Sequence, residues 1–272
     1  MRNMGIITNY DKSGMSIFTF KKIVSGAVLA VAALFFASGA QAAMIVDLIN
    51  GDGPGTINGA MFEWVSSQST GTGVITPFLR VQADGTEQGY NTSNPSPPFD
   101  AKTGPFTHDI TFADLMTTEV TIGGQNYFKI LLDVNQSGSG DATFISLNQL
   151  QFYTSPTPSQ NTTTVSSLGT LRYTFSPGDA VLLDASRNPG SGAGDMFAFI
   201  PVSAFAGTAL TDFVYLYCVF GDTYASNDGF EEWSLVVNPI PEASTFFPIV
   251  GLLAAVFSTQ FVRRRQLQQL SK

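Results

Sequence analysis

The chain has 272 residues, 21 of them acidic against 13 basic, with one cysteine and one histidine. One cysteine excludes an intramolecular disulfide, and one histidine beside it is too few for an ordinary zinc site. A formal charge of −8 is opposite in sign to the footprint that phosphate polymers require, so no nucleic-acid partner is expected.

Lys21 and Lys22 precede an apolar stretch over residues 23–37, and the small residues Ala40 and Ala42 follow. A basic region, an apolar region and small residues at positions −3 and −1 define a secretory signal peptide. The pattern predicts a signal-peptide helix within residues 1–42, removed by signal peptidase between Ala42 and Ala43. The basic region is long, so Met15 is an alternative start to Met1.

The body, residues 43–238, is far more acidic than the whole. Between Ala43 and Ile240 the bases are Arg80, Lys102, Lys129, Arg172 and Arg187. Only Asp11 and Glu242 of the 21 acids fall outside that span, so 19 stand against 5, a balance of −14.

Helical periodicity is nearly absent from this body. Short β-branched and aromatic runs, each bounded by Gly, Pro, Asn, Asp or Ser, predict strands over residues 45–49, 56–65, 74–81, 119–122 and 127–134. Further strands are expected over 143–153, 169–175, 180–183, 196–200, 212–220 and 232–237. Gly123-Gly124 marks a tight hairpin, because two-residue turns need positive φ. One helical turn is expected over 112–116, capped by Thr111 or Asp109. Such a pattern predicts an all-β fold, a β-sandwich of jelly-roll-like type. Residues 91–105 read as a long surface loop. Residues 155–167 are polar and proline-bearing: a loop within one domain, or a linker between two smaller ones.

Asp133, Asn135, Ser137 and Asp141 carry oxygen at alternate positions around Gly138, as in the first half of a calcium loop. Phe144 stands where the bidentate glutamate would be, and the same residue types suit a β-turn. No other cofactor is expected. Asp222, Asp228, Glu231 and Glu232 form a second acidic group, read as the solvated tip of a loop. His108 has no nucleophile-elbow motif to serve, and Cys218 sits in an apolar run as a buried thiol. Gly190 to Gly194 is read as a turn, since a strand and not a helix follows it. Tyr90, Phe99, Tyr153, Tyr173, Tyr224, Trp64 and Trp233 are candidates either for a sugar-stacking face or for core packing.

Near the C-terminus, Pro241-Glu242-Ala243 leads into an apolar run over 245–262, and Arg263, Arg264 and Arg265 close it. Eighteen residues at about 1.5 Å each reach roughly 27 Å, enough to cross a bilayer core. The arginines hold their end in the cytoplasm and leave the body outside. This order resembles the PEP-CTERM sorting signal of exported bacterial proteins, whose third motif residue is usually proline where this chain has Ala243. Internal segments, among them 71–80, 85–92 and 222–233, are also similar to those of PEP-CTERM proteins. The resemblance implies a sorting signal over 239–265 with a transmembrane helix at 245–262, and a cytoplasmic tail at 266–272. It implies an exosortase-like processing enzyme as partner, and a Gram-negative host that makes extracellular polysaccharide. It carries over no catalytic residue. The expectation is a non-enzymatic, adhesive or polysaccharide-associated protein of the cell envelope or extracellular matrix. The alternatives are an exported glycan hydrolase and a calcium-dependent glycan-binding module.

Overall fold

Turn chemistry lays down the first hairpins. Asn58 and Gly59 both have positive φ, 49° and 83°, and fold β2 (Gly55–Ile57) back onto β3 (Ala60–Trp64). The sequence pattern predicted one continuous strand here. Asn-Gly is the strongest short-range hairpin signal, and it breaks the run in two. Gly123 and Gly124, at φ 58° and 82°, make the expected turn between β8 (Glu119–Ile122) and β9 (Gln125–Val134).

A computed structural model of the chain describes residues 42–66, 77–190 and 192–236. The leader with Ala40, the motif Pro241-Glu242-Ala243, the apolar run 245–262 and Arg263, Arg264 and Arg265 lie outside the described residues. Among the described residues no helix is long and apolar enough to cross a membrane.

The fold is all-β, built mainly from two seven-stranded sheets. In the first, β1 (Ile45–Asp47), β12 (Ala180–Asp184), β10 (Phe144–Ser155), β14 (Phe213–Phe220) and β6 (Glu87–Tyr90) lie side by side. Two short strands extend it: β11 (Thr170–Thr174) pairs with β10, and β7 (Ile110–Thr111) with β14. The second sheet runs β2, β3, β13 (Met196–Pro201), β9, β16 (Glu231–Leu235) and β4 (Pro77–Val81), with β8 also on β9. A small ribbon pairs β5 (Asp84–Gly85) with β15 (Ser226–Asn227). All described pairs are antiparallel except β1 with β12.

Period-two alternation sorts the side chains. Phe128, Ile130, Leu132 and Val134 of β9 join Ile145, Leu147, Leu150 and Phe152 of β10 in one hydrophobic cluster fed by both sheets. On β14, Val214, Leu216, Cys218 and Phe220 enter that cluster. The alternate residues Tyr215 and Tyr217 join Tyr90, Tyr153 and Leu168 in a second one. A strand apolar on both faces therefore has both faces covered, as its composition predicts. The 155–167 stretch is part of the second cover: Tyr215 Oη donates to Thr157 O (2.7 Å) and Tyr90 Oη to Thr162 O (3.0 Å).

The loop after β6 is less exposed than expected. Asn91 is buried, and its side-chain amide donates to Val214 O (2.9 Å) and accepts from Leu216 N (2.7 Å). It thus mimics a strand partner between β6 and β7 along β14. The helical turn α1 (Phe112–Met116) carries a capping box, with Thr111 as the cap and Asp114 returning the bond.

Candidate functional site

Five carboxylic side chains are buried at one end of the two sheets: Glu87, Asp133, Asp195 and Glu231 at 0% exposure and Glu232 at 3%. Buried charge is costly unless paired or protonated, so this group is the least ordinary chemistry in the molecule. β16 explains part of it. Trp233 belongs to the core cluster, and alternation sends Glu231 to the same face and Glu232 to the opposite one.

Glu232 lies opposite Arg80 on β4 and opposite Asp133 on β9. It forms an ion pair with Arg80. The Arg80 guanidinium is held over two rings, 3.7 Å from the centre of Phe106 and 4.5 Å from that of Phe230. Asp133 Oδ2 accepts from Gly192 N–H (2.6 Å) and Asp195 Oδ2 from Val134 N–H (2.7 Å). Their other oxygens have no hydrogen-bond partner among the described residues. Burial pushes the Asp133 carboxyl up to about 6, and the charge of Glu232 adds to that. Burial raises Asp195 well above the carboxylate range, with Asp133 adding to it.

Glu231 faces Glu87, which comes from the other sheet. Glu87 Oε2 accepts from Ala83 N–H (2.8 Å), and Glu231 Oε1 accepts from Gln136 Nε2 (2.6 Å). The remaining oxygens, Glu87 Oε1 and Glu231 Oε2, meet no donor among the described residues, but the two carboxyls lie within hydrogen-bonding reach of each other. One shared proton satisfies both. Burial is the main cause that raises both groups, and Glu231 rises far above its ordinary value. Cys218 Sγ and Trp233 lie beside them, and burial likewise holds the Cys218 thiol well above its usual range.

The four residues of the calcium-like pattern have different surroundings. Asp133 is turned to Gly192, while Asp141 is exposed in a 3-10 turn, Gly140–Thr143. Asn135 Nδ2 donates to Phe230 O (3.1 Å), and Ser137 N–H to Asn227 Oδ1 (3.0 Å). Asn227 Nδ2 in turn donates to Ser137 O (2.7 Å) and Ala142 O (2.8 Å). The oxygen-rich pattern thus serves a turn pinned by Asn227. Among the described residues no three His, Cys, Asp or Glu side chains are placed to hold a metal ion together.

The second acidic group is divided. Asp222 and Asp228 are exposed on the loop, as expected, but Glu231 and Glu232 are buried on β16. Of the aromatic candidates, Tyr90, Tyr153, Tyr173, Trp64 and Trp233 are buried, so they pack and do not form an exposed stacking face. The glycine-rich turn has a partner that the sequence did not suggest: it supplies the N–H that holds Asp133. Glu87 and Asp195 were missed altogether. Neither stands in an apolar run, and charge in a sequence carries no mark of whether water reaches it.

Paired carboxyls are the machinery of glycoside hydrolysis, yet a polymer cannot reach groups with no exposed surface. Burial favours the protonated form of Glu87, Asp133, Asp195 and Glu231, and the approach of Glu87 to Glu231 links the two sheets. Comparison with protein-family models, with curated proteins and with solved structures finds no match for this chain.

Proposed function

We propose that the chain is an exported component of a bacterial cell envelope or extracellular matrix, acting by non-enzymatic adhesion or association with polysaccharide. The observation that carries this reading is the order of its C-terminal residues: Pro241-Glu242-Ala243, an apolar run, then Arg263-Arg264-Arg265. In this reading the run 245–262 is a transmembrane helix that anchors the chain until an exosortase-like enzyme processes it. Signal peptidase acts at the other end, between Ala42 and Ala43. The body is then a β-sandwich with jelly-roll-like topology, a description supported by a core cluster that both sheets feed. The burial of Glu87, Asp133, Asp195 and Glu231 favours binding over hydrolysis.

The test is fractionation of the full-length chain expressed in an exosortase-bearing Gram-negative host. The expected product starts at Ala43 and is found in the envelope or matrix fraction. Pro241→Ala combined with Glu242→Ala leaves it in the inner membrane. Recovery of the uncleaved chain from the cytosol overturns the reading.

Calcium gives a second check. A ligand selective for the folded state raises stability. With Asp133 buried against Gly192 and Asp141 exposed, millimolar calcium is expected to leave Tm where a chelator leaves it. An increase of several degrees, lost in Asp141→Ala, instead identifies a calcium-dependent module.

A further inference from the structure

The turn between β11 and β12 borders a cleft of about 630 Å³, within the range of small-ligand sites. β12 pairs with β10 over residues 144–147 and β11 over 151–154. Asn148 and Gln149 lie between those two stretches, and with Gln151 they line the cleft. Asp222 lies beside Asn148; Ser176 and Asp179 also line the cleft, and Pro177 adds apolar surface.

We propose that this cleft binds a neutral, polyhydroxylated ligand, a segment of uncharged polysaccharide. The proposal rests on the matrix reading above and gives that reading a site.

The lining side chains are of the right kind and several are held in place. Gln151 Oε1 accepts from Tyr153 Oη (2.9 Å), and its Nε2 donates to Thr174 Oγ1 (3.3 Å). Asn148 Oδ1 accepts from Ser146 Oγ (2.8 Å) and from Asp222 N–H (3.0 Å). Side chains fixed beforehand lose little entropy on binding. Gln149 and the Asp222 carboxylate are exposed and make no side-chain hydrogen bond among the described residues. They offer a free donor and free acceptors to adjacent hydroxyls.

Charge and strand pairing rule out the other ligand classes. No Lys, Arg or His lines the cleft, so an anionic polymer meets only Asp179 and Asp222. Asp179 has both oxygens engaged, accepting from Met44 N–H (2.8 Å) and Ser176 N–H (2.7 Å), which leaves a single carboxylate for a cation. A peptide adding as a strand needs a long free sheet edge; β14 covers one side of β10, and on the other only residues 148–150 lie between its pairings with β12 and β11.

Affinity electrophoresis of the full-length chain tests this with dextran, laminarin and hydroxyethylcellulose as neutral probes and dextran sulfate as the anionic control. Retardation is expected with at least one neutral glucan and not with dextran sulfate. Gln149→Ala and Asp222→Ala, both exposed substitutions, are each expected to weaken binding about fivefold to tenfold with Tm unchanged. Equal retardation by dextran sulfate, undiminished binding in both variants, or displacement of the glucan by an unstructured peptide overturns the proposal. So does failure with all three glucans. In that case an envelope or matrix location in the fractionation experiment still stands, so the two readings fail separately.

Discussion

Raising the pH from 5 to 8 lowers the urea midpoint of the full-length chain, and Glu231→Gln makes that fall less steep. Glu87, Asp133, Asp195 and Glu231 all take up protons more readily in the folded state than in the unfolded chain, because burial disfavours their charged forms. Below about pH 4, the ordinary carboxyl range, folded and unfolded chains are both protonated and the contribution of these groups is fully present. As the pH rises, the unfolded chain ionises first, and stability falls until the folded carboxyl ionises too. The slope is about 1.4 kcal/mol per pH unit for each such group. For Asp133, pushed up to about 6, the loss runs from about pH 4 to pH 6 and totals about 3 kcal/mol. Glu231, raised well above the ordinary range, adds a fall of the same sign.

Gln at position 231 resembles the protonated acid. Its oxygen still accepts from Gln136 Nε2, and its amide N–H donates to Glu87. The variant should therefore lose one group's share of the slope, about 1.4 kcal/mol per pH unit. Urea titrations at several pH values, followed by fluorescence of the buried Trp233, read this directly. Stability that climbs between pH 5 and pH 8, or an unchanged slope in the variant, removes the shared-proton account.

Gly229→Ala is expected to cost more than any other single methyl group added at the same end of the sheets. A Cβ there would stand 1.4 Å from the carbonyl oxygen of Asn135 and 2.5 Å from its carbon. Backbone cannot rotate aside as a side chain can, and this backbone is held: Asn135 N–H donates to Phe230 O (3.1 Å). Relief requires prising β9 from β16 beside the buried acids, so a loss on the order of 4 kcal/mol is expected. Gly124→Ala is the control. Its φ is +82° but nothing lies within 4 Å of the added carbon, so only the conformational cost of about 1 kcal/mol applies. Equal urea midpoints for the two variants would show that the close approach at Asn135 is not real.

Much of the fold is legible along the chain, and the misses have physical causes. The strand over Phe213–Phe220 and the helical turn over Phe112–Met116 follow from local pattern and capping. The hairpin at Asn58-Gly59 was equally visible, but the apolar residues on both sides read as one strand. β6 was not visible. Glu87, Gln88 and Gly89 have weak strand preference, and Gly89 belongs there because a Cβ would come within 2.7 Å of the Val81 side chain. Only the packed neighbour reveals that need.

The candidate site divides in the same way. The proposed export and anchoring signals, at Ala40 and Ala42 and from Pro241 to Arg265, are patterns of residue order, which can be read with no fold. Turn conformations, strand alternation and overall charge are also local or additive properties of the residues. Burial of a carboxyl is neither. Glu231 and Asp228 stand three positions apart, yet one is sealed between the sheets and the other is in water. The difference comes from atoms of Glu87 and Gln136, distant in the chain, which displace solvent from one carboxyl and not from its neighbour.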